Sequence, residues 1–332
     1  MSSSTFSSDI STTHKRRFVI VILFTFVLAS TLTVATNLLI DPHGVFQTKI
    51  FTPGSEINER YAKYQHIIQS DPYDLWLMGS SRSNIIDPQN LLPLLNDKTA
   101  YNFSFFSARP TEIVSLLDHF LSDHEQKLPS TIILGLEYFP FDEWYAERTG
   151  IQWSLPYPIE GSHFWFLHYS ALTANSWMAI FDVLNNQSNP QISFNIDRGF
   201  YTPIKLVKEL QSDPVTHNQK ILQKILPARP SPKWKDEEFQ ALTRLIEISQ
   251  HQNLKLIFYK HPIHSVITTQ YSKLSIENWN KTIQDILSSQ IYFDFSKDSE
   301  LINDPLNWLD EKHYTSQVGL VLIKHIFSMT NA

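Results

Sequence analysis

An uninterrupted apolar segment near the amino terminus constrains this chain most. Residues 18–40 run for 23 positions without a charged side chain, long enough as a helix to cross a hydrocarbon core of about 30 Å. Three cations at 15–17 precede the segment, and no Lys or Arg follows it until Lys49. The positive-inside rule therefore predicts a cytoplasmic tail at 1–17, a single-pass signal anchor in the cytoplasmic (inner) membrane and an extracytoplasmic, periplasmic remainder. A cleaved signal peptide is the alternative, because 33–35 loosely resembles a cleavage site, although secretory apolar regions usually span only 7–15 residues.

The composition of the chain excludes several classes of protein. Of its 332 residues, 42% are hydrophobic and 18% are charged, which is inconsistent with a disordered, collagen-like or coiled-coil chain. The 27 basic and 33 acidic residues give a net charge of −6; since no basic stripe accompanies it, we expect no nucleic-acid partner. The chain has no cysteine, so disulfides, thiolate metal sites and cysteine nucleophiles are excluded.

Short apolar runs alternate with longer amphipathic stretches after an irregular neck at 41–72, and this alternation predicts a parallel sheet covered by helices. Five runs are short and apolar, as strands covered on both faces should be; they are 73–78, 100–106, 131–139, 254–259 and 291–295. Helices are predicted at 88–95, from 110 onwards, and at 236–250, 272–288 and 315–329. The sequence therefore predicts a three-layer α/β/α domain over 73–332.

Residues 140–235 interrupt this alternation. The segment is rich in Trp, Tyr and Pro and contains one predicted helix near 168–185. Inserts at the carboxyl ends of parallel strands commonly shape a ligand crevice, so we interpret the segment as an aromatic-rich insertion that serves either as a lid or as an extra packing layer. Its large aromatic residues, which could stack on sugar rings or belong to a core, are Trp144, Trp153, Tyr157, Trp165 and Trp177.

Two short motifs carry residues that could perform chemistry. Gly-Ser-Ser at 79–81 follows the first predicted strand, where a serine borders the crevice and the N–H groups of the next helix favour developing negative charge. Asp310 and His313 lie just before the last predicted helix, and a hydroxyl nucleophile needs an imidazole base oriented by a carboxylate. Singly, each motif has an ordinary explanation, a helix cap or a solvated loop. Together they can meet over the carboxyl edge of the sheet.

In order and position the two motifs resemble those of the SGNH/GDSL hydrolases over residues 73–329. In that family the nucleophile lies in a Gly-x-Ser after the first strand, and an Asp-x-x-His precedes the last helix. The resemblance implies a flavodoxin-like parallel sheet. It also implies that Ser81 is the nucleophile, His313 the general base and acid, and Asp310 the carboxylate that orients His313, while Ser80 replaces the family's usual aspartate.

Two departures from the family pattern concern the oxyanion hole. At the position of the family's second-block glycine this chain has Ser107. Its backbone N–H could still serve beside that of Ser81, provided that no unusual φ is required. The third block of the family is Gly-x-Asn-Asp, whereas residues 135–138 read Gly-Leu-Glu-Tyr. The asparagine donor that the family pattern implies is therefore missing.

Four further residues are candidates for substrate contact at the same edge of the sheet, namely Arg82, Glu137, His261 and His264. An ionised Glu137 would repel an oxyanion. We therefore expect it to be protonated, turned toward Arg82 or Arg109, or engaged otherwise, and an ion pair is the favoured interpretation. Because a His-x-x-His outside a helix is a poor metal signature, we expect no metal and no cofactor.

The anchor, the Gly-Ser-Ser form and Asp-Pro-His-Gly at 41–44 are similar to features of anchored bacterial proteins of envelope-polymer O-acylation. The resemblance implies a serine-dependent ester hydrolase or O-acyltransferase, with O-acetyl the best fit, acting on cell-envelope carbohydrate through an acyl-Ser81 intermediate. Its partners would be an envelope polysaccharide, a membrane acyl-donor protein and the lipid bilayer. One alternative is a non-catalytic SGNH-like binding or scaffold protein with a degraded oxyanion hole. Another is a secreted lipase-like enzyme, which would need a cleaved signal and a more apolar lid.

Overall fold

The computed structural model describes residues 7–48, 50–145, 153, 163–172, 176–228 and 231–330. Its elements are, in chain order, α1 (Ser7–Ile40), α2 (Glu59–Gln69), β1 (Leu75–Met78), α3 (Ser81–Asn84), β2 (Ala100–Asn102), α4 (Pro110–Asp123), β3 (Thr131–Leu136), α5 (His163–Leu172), α6 (Ser176–Ser188), β4 (Ser193–Asn195), β5 (Phe200–Thr202), α7 (Ile204–Ser212), α8 (Pro214–Leu222), α9 (Asp236–His251), β6 (Lys255–Lys260), α10 (Ser265–Thr268), α11 (Lys273–Ile286), β7 (Ile291–Asp294), α12 (Ser299–Asn303) and α13 (Ser316–Thr330).

Among the described residues, α1 is the one helix long and apolar enough to cross a bilayer, and its candidate span is His14–Ile40. The side chains at 14–29 are all exposed, as those of a lipid-facing helix are. Thr25, Thr33 and Thr36 donate their hydroxyls to the carbonyls four residues earlier, so these polar groups are satisfied within the helix, as a membrane interior requires. The predicted apolar run at 18–40 therefore lies inside a longer helix.

The central sheet is fully parallel and has the strand order β2-β1-β3-β6-β7. Counted along its own five strands the order is 2-1-3-4-5, the flavodoxin-like arrangement. One hydrophobic cluster joins one face of the sheet to α2, α4, α9 and α11. A second joins the other face to α13 and to the β4–β5 hairpin. The α/β/α class is thereby confirmed, and all five predicted strands are present.

Several element boundaries differ from the sequence prediction. β2 ends at Asn102 rather than 106, and β3 at Leu136 rather than 139, because the chain turns there to build loops at the edge of the sheet. The helix predicted at 88–95 is a 3₁₀ helix, Pro88–Leu94, with Pro93 inside it. A proline at that position removes a backbone donor that an α-helix would need.

The irregular neck predicted at 41–72 is wrong over Glu59–Gln69, which form α2. Tyr64 and Ile67 of α2 belong to the core, and Asn58 caps the helix by accepting the N–H of Tyr61 at 2.9 Å. The apolar periodicity of this helix is faint because several of its buried side chains are charged. Residues 59–69 are therefore part of the folded domain.

The insertion at 140–235 holds more structure than the single helix predicted near 168–185. That helix is two helices, α5 and α6, followed by the antiparallel β4–β5 hairpin and by α7 and α8. The hairpin packs over the end of β2, where Tyr201 and Phe106 contact each other with ring centroids 4.6 Å apart. This part of the insertion is a packing layer. Tyr157 and the side chain of Trp165 lie outside the described residues.

Candidate active site

The candidate nucleophile lies on a tight turn between β1 and α3. Gly79 has a φ of +139°, and a Cβ at this position would lie only 2.5 Å from the Ser83 hydroxyl oxygen and 3.0 Å from the Gly135 carbonyl oxygen. Glycine is therefore the residue that fits here. Ser80 caps α3, which leaves Ser81 as the first residue of that helix, half-buried at the carboxyl edge of the sheet.

The structure brings Ser81, His313 and Asp310 into one hydrogen-bonded chain across 232 residues of sequence. The Ser81 hydroxyl lies 2.8 Å from Nε2 of His313. Nδ1 of the same ring lies 2.9 and 3.0 Å from the two carboxylate oxygens of Asp310. A neutral imidazole protonated on Nδ1 satisfies both contacts, because Nδ1–H donates to the carboxylate and Nε2 accepts from the serine. This is the arrangement in which an imidazole can remove a serine proton.

Asp310 is held as an anion by its own loop. Its Oδ1 accepts the backbone N–H groups of Lys312 and His313, both at 2.7 Å. Burial by itself would raise the pKa of Asp310, but the hydrogen bond and charge of His313, with these N–H donors, lower the pKa to about 2. A carboxylate that stays ionised can hold the Nδ1–H tautomer and stabilise the imidazolium that forms during catalysis.

Arg82, a candidate for substrate contact, is buried with 1% of its surface exposed. Its Nε donates to the backbone carbonyl of Lys312 at 2.6 Å and lies 3.3 Å from a carboxylate oxygen of Glu137. Because Arg82 follows the candidate nucleophile and Lys312 precedes the candidate base, this hydrogen bond ties the two catalytic loops together. Arg82 is therefore placed to position the site rather than to meet a substrate.

Glu137 occupies the place where the family pattern has its asparagine donor. It is buried, with 8% of its surface exposed, and its carboxylate pairs with Arg82. The ion pair is the interpretation that the sequence favoured, with Arg82 rather than Arg109 as the partner. The paired Glu137 carboxylate supplies no donor to an oxyanion, and the backbone N–H groups remain the candidate donors.

The two backbone N–H groups expected from the sequence to form an oxyanion hole are those of Ser81 and Ser107. Across the described residues, the N–H groups of Ser81 and Ser107 donate to no protein acceptor. Ser107 has a φ of +57°, the left-handed conformation that glycine adopts readily and that costs other residues about 1–2 kcal/mol. The unusual φ is therefore present, and the serine adopts it. The Tyr145 hydroxyl fixes this turn by donating to the Ser107 hydroxyl at 2.6 Å.

His261 and His264, two candidates for substrate contact, are turned inward. His261 is fully buried, and its Nδ1 lies 2.9 Å from the Tyr314 hydroxyl while its Nε2 lies 3.5 Å from the Ser83 hydroxyl. Burial first, then the charges of Arg82 and His313, lower the pKa of His261 well below its ordinary value. His264 is 4% exposed and caps α10 by accepting the N–H of Val266 at 3.2 Å. Both are therefore buried side chains with partners inside the domain rather than groups exposed to a substrate.

Sequence reasoning missed a buried charged cluster that supports α3 and the loop leading to Ser107. Lys63 of α2 is fully buried. Its ammonium donates to the Asn84 side chain at 2.7 Å and to the Ser104 carbonyl, and it pairs with Glu59 at 3.2 Å. Asn84 ends the helix that carries Ser81, and Ser104 lies three residues before Ser107. The spacing of Glu59 and Lys63 at i and i+4 is the only signal in the sequence, and it is also common on exposed helices.

The fold and the site together define an α/β protein with a five-stranded parallel sheet and a serine–histidine–aspartate chain at the carboxyl edge. Within the described part of the chain, no group of three His, Asp or Glu side chains could hold a metal ion.

No protein-family model matches the sequence, and a search of curated proteins finds no match.

Among solved structures the chain is similar to an acetyl xylan esterase, at 12% identity, over 77% of this chain and 99% of that chain, with a TM-score of 0.38. It is similar to a putative platelet activating factor from Streptococcus pneumonia, at 13% identity, over 91% and 98% of the two chains, with a TM-score of 0.39. It is also similar to the psychrotrophic esterase EstA from Pseudoalteromonas sp., at 12% identity, over 77% and 95%, with a TM-score of 0.36. Since all three TM-scores lie below 0.5, the chemistry assigned to this chain rests on its own residues.

Proposed function

We propose that this protein is a membrane-anchored, extracytoplasmic serine hydrolase or O-acyltransferase of the SGNH type that forms an acyl-enzyme on Ser81. The observation that carries the proposal is the hydrogen-bonded chain from Ser81 through His313 to Asp310, at 2.8 and 2.9 Å. An activated hydroxyl of this kind attacks ester carbonyls.

The proposed reaction has two halves. His313 Nε2 accepts the Ser81 proton while Oγ bonds to the ester carbonyl carbon, and the oxyanion is stabilised by the N–H groups of Ser81 and Ser107. The tetrahedral intermediate collapses, the C–O bond to the alcohol breaks, and His313 returns its proton to the leaving oxygen. An acceptor hydroxyl then attacks the acyl carbon while His313 takes its proton. The bond from the acyl carbon to Ser81 Oγ breaks, and His313 returns the proton to Oγ, which regenerates the serine. Water as the acceptor makes the protein an esterase, and a sugar hydroxyl makes it a transferase.

An O-acetyl group on envelope carbohydrate is the substrate class we propose, with a membrane acyl-donor protein as the partner in the transferase case. The support is the resemblance of the motifs and the location outside the membrane. Retention of the anchor is supported by Asn37 near the end of α1, which is fully buried and donates to the Ala171 carbonyl at 2.7 Å. Packing of this helix end against α5 supports an anchor that stays in the protein over a signal that is removed.

The first test is labelling of the full chain in detergent with a serine-directed fluorophosphonate, together with turnover of p-nitrophenyl acetate. We expect Ser81→Ala and His313→Ala to lose both signals. Ser83→Ala is the matched control, because Ser83 also faces a histidine but lies buried at 3.5 Å from it, and we expect it to keep the label. Labelling that survives in Ser81→Ala, or that is lost in a folded Ser83→Ala, would contradict the assignment of the nucleophile.

A second candidate function is a non-catalytic binding or scaffold protein with the same fold. The observation that favours it is Glu137, a carboxylate paired with Arg82 where an oxyanion donor would stand. A folded wild-type chain that neither reacts with the fluorophosphonate nor turns over any acetyl ester would support this alternative. If the chain is active, adding an oligosaccharide acceptor and measuring acetylated sugar against free acetate separates transferase from esterase.

A further inference from the structure

The inserted helices α5 and α6 pack against the carboxyl-terminal end of α1. The contact includes the hydrogen bond from Asn37 of α1 to the carbonyl of Ala171 in α5. Asn37 lies three residues before the end of α1 at Ile40, about 5 Å along the helix axis at 1.5 Å per residue. If α1 spans the cytoplasmic membrane, this contact holds α5 and the start of α6 at the level where the outer leaflet of that membrane meets water.

One face of α6 is apolar and uncovered. Trp177, Met178, Phe181 and Leu184 are 36%, 77%, 68% and 42% exposed. With 3.6 residues per turn, these four positions fall within about 120° of the helix circumference. Leu172 at the end of α5 is also apolar and 49% exposed, and it lines a cavity beside Val34 of α1. The patch of these five residues is named the interfacial face below.

The rest of α6 is firmly attached to the domain. Ala179, Ile180 and Val183 are buried. Asp182 accepts the N–H and the hydroxyl of Ser55 at 2.6 and 2.9 Å, and Gln187 donates to the Thr52 carbonyl at 2.8 Å. The interfacial face is therefore displayed from a helix that its neighbours hold in place.

The charge of this region favours a lipid occupant. Over residues 163–188 the only Asp, Glu, Lys or Arg is Asp182. Asp182 lies about 40° around the helix from Met178, beside the apolar face, and its carboxylate is bonded to Ser55. A face of Trp, Met, Phe and Leu without cations enters a bilayer by burying apolar area rather than by attraction to anionic headgroups. Tryptophan is also the residue enriched at the level of the headgroups.

We propose that the interfacial face lies in the outer leaflet, at the boundary of headgroups and acyl chains, and is a second attachment of the domain to the membrane beside α1. This inference rests on the proposed anchoring by α1, and the occupant is the lipid bilayer. Two attachments fix the orientation of the domain, whereas a single helix would let it rotate about the anchor. The active-site edge would then keep a constant angle to the membrane surface.

The absence of cysteine from the chain provides the test. Single-cysteine variants of the full chain, Phe181→Cys, Leu274→Cys and Phe26→Cys, are labelled with an environment-sensitive fluorophore. Each is reconstituted at one copy per nanodisc of zwitterionic phosphatidylcholine. Phe26 lies in the apolar segment of α1, and Leu274 is a matched exposed apolar residue, 66% exposed, on α11. Lipids that carry a spin label near the headgroup or near the chain end then report the depth of each fluorophore.

We expect the Phe181 fluorophore to emit to the blue of the Leu274 fluorophore and to be quenched about two-fold more by the shallow label than by the deep one, as a face buried about 5–10 Å would be. Aqueous iodide should quench the Leu274 fluorophore strongly and the Phe181 fluorophore weakly. A Phe181 fluorophore that behaves like the Leu274 one, while the Phe26 fluorophore is in lipid, would overturn the inference and leave the anchor intact. Shielding that needs two copies per disc would assign the face to a second chain and overturn it too. A Phe26 fluorophore in water would overturn both the anchor and the inference.

Discussion

At the residue scale, the proposed chemistry depends on Asp310 remaining an anion beside His313. The pKa of Asp310 is lowered from 3.8 to about 2. A carboxyl group whose pKa is lower in the folded than in the unfolded state stabilises the fold above the unfolded value, and this stabilisation is lost as the pH falls through 3.8 toward 2. The interaction that orients the base therefore also stabilises the fold above about pH 4, and this contribution is lost in acid.

Replacing Asp310 by Asn removes this titration while keeping an oxygen that accepts the two loop N–H groups. Between about pH 5 and about pH 2, we expect the unfolding free energy of the wild type to fall by about 2 kcal/mol more than that of Asp310→Asn. Denaturant unfolding in detergent across this pH range measures the difference. Parallel stability curves for the two chains would show that Asp310 titrates normally.

Ser107 adopts a conformation that suits glycine, and its backbone N–H is the proposed oxyanion donor. We expect Ser107→Gly to keep acyl-enzyme formation within a few-fold of wild type, because the donor is retained and the φ of +57° no longer carries strain. Ser107→Val should lose most activity, since a β-branched residue disfavours this φ. The rate of fluorophosphonate labelling of both variants provides the measurement, with thermal unfolding as the control for folding. Equal rates in the valine variant would remove Ser107 from the proposed oxyanion hole.

The residues brought together at the site could be predicted from the sequence, but the orientation of the side chains that surround them could not. Ser81, Asp310 and His313 stand at strand and helix boundaries that local apolar patterns mark, and parallel strands place such boundaries at one edge. The inward orientation of Arg82 and His261 depends on neighbours more than 170 residues away, Lys312 and Ser83. No local pattern encodes such contacts.

At the scale of elements, α2 lies within the predicted neck and contacts both α3 and the loop leading to Ser107. Its Lys63 is fully buried, and burial lowers its pKa to about 8 although the charge and hydrogen bond of Glu59 raise it. Lys63 serves three acceptors from separate elements, namely Glu59, the Asn84 side chain and the Ser104 carbonyl. Sequence patterns describe α2 poorly because apolar periodicity assumes that charged side chains face solvent.

Lys63→Met should therefore destabilise the domain by about 3–5 kcal/mol, since it leaves a carboxylate and two other acceptors buried without their donor. The double variant Glu59→Gln/Lys63→Met should recover part of this loss, because the unpaired charge is removed with its partner. Unfolding of the two single variants and the double variant forms a thermodynamic cycle. A double variant whose loss equals the sum of the single losses would show that the two side chains are not coupled.

The five sheet strands were predictable because each is a short apolar run, and burial on both faces requires such runs. The inserted elements were not predictable to the same degree. β4 and β5 are three residues each, too short for a periodic signal. They are held by contacts with the end of β2, such as the Tyr101 hydroxyl that donates to the Ile196 carbonyl at 2.8 Å.

At the scale of the whole molecule, the proposed placement of the domain relative to the membrane rests on the charges around α1. Cations precede the apolar segment at 15–17, and the buried end of α1 joins the domain at Asn37. With an uncleaved helix in the bilayer, the two ends of α1 must lie in different compartments. The positive-inside rule assigns the amino-terminal end to the cytoplasm.

Single-cysteine variants test this orientation because the chain has no cysteine of its own. A membrane-impermeant maleimide added to intact spheroplasts should modify Leu274→Cys, which is exposed on α11, and should spare His14→Cys at the cytoplasmic end of α1. After lysis both variants should react, which controls for accessibility of the thiols.

Both proteins should also stay in the membrane fraction after carbonate washing, because an apolar helix of this length leaves the bilayer only at a large free-energy cost. Labelling of His14→Cys in intact spheroplasts would place the amino terminus outside, whereas release of the domain by carbonate would show that α1 is not an anchor. Either result would contradict the proposed membrane placement and leave the proposed chemistry unaffected, since the Ser81–His313–Asp310 chain contains no residue of α1.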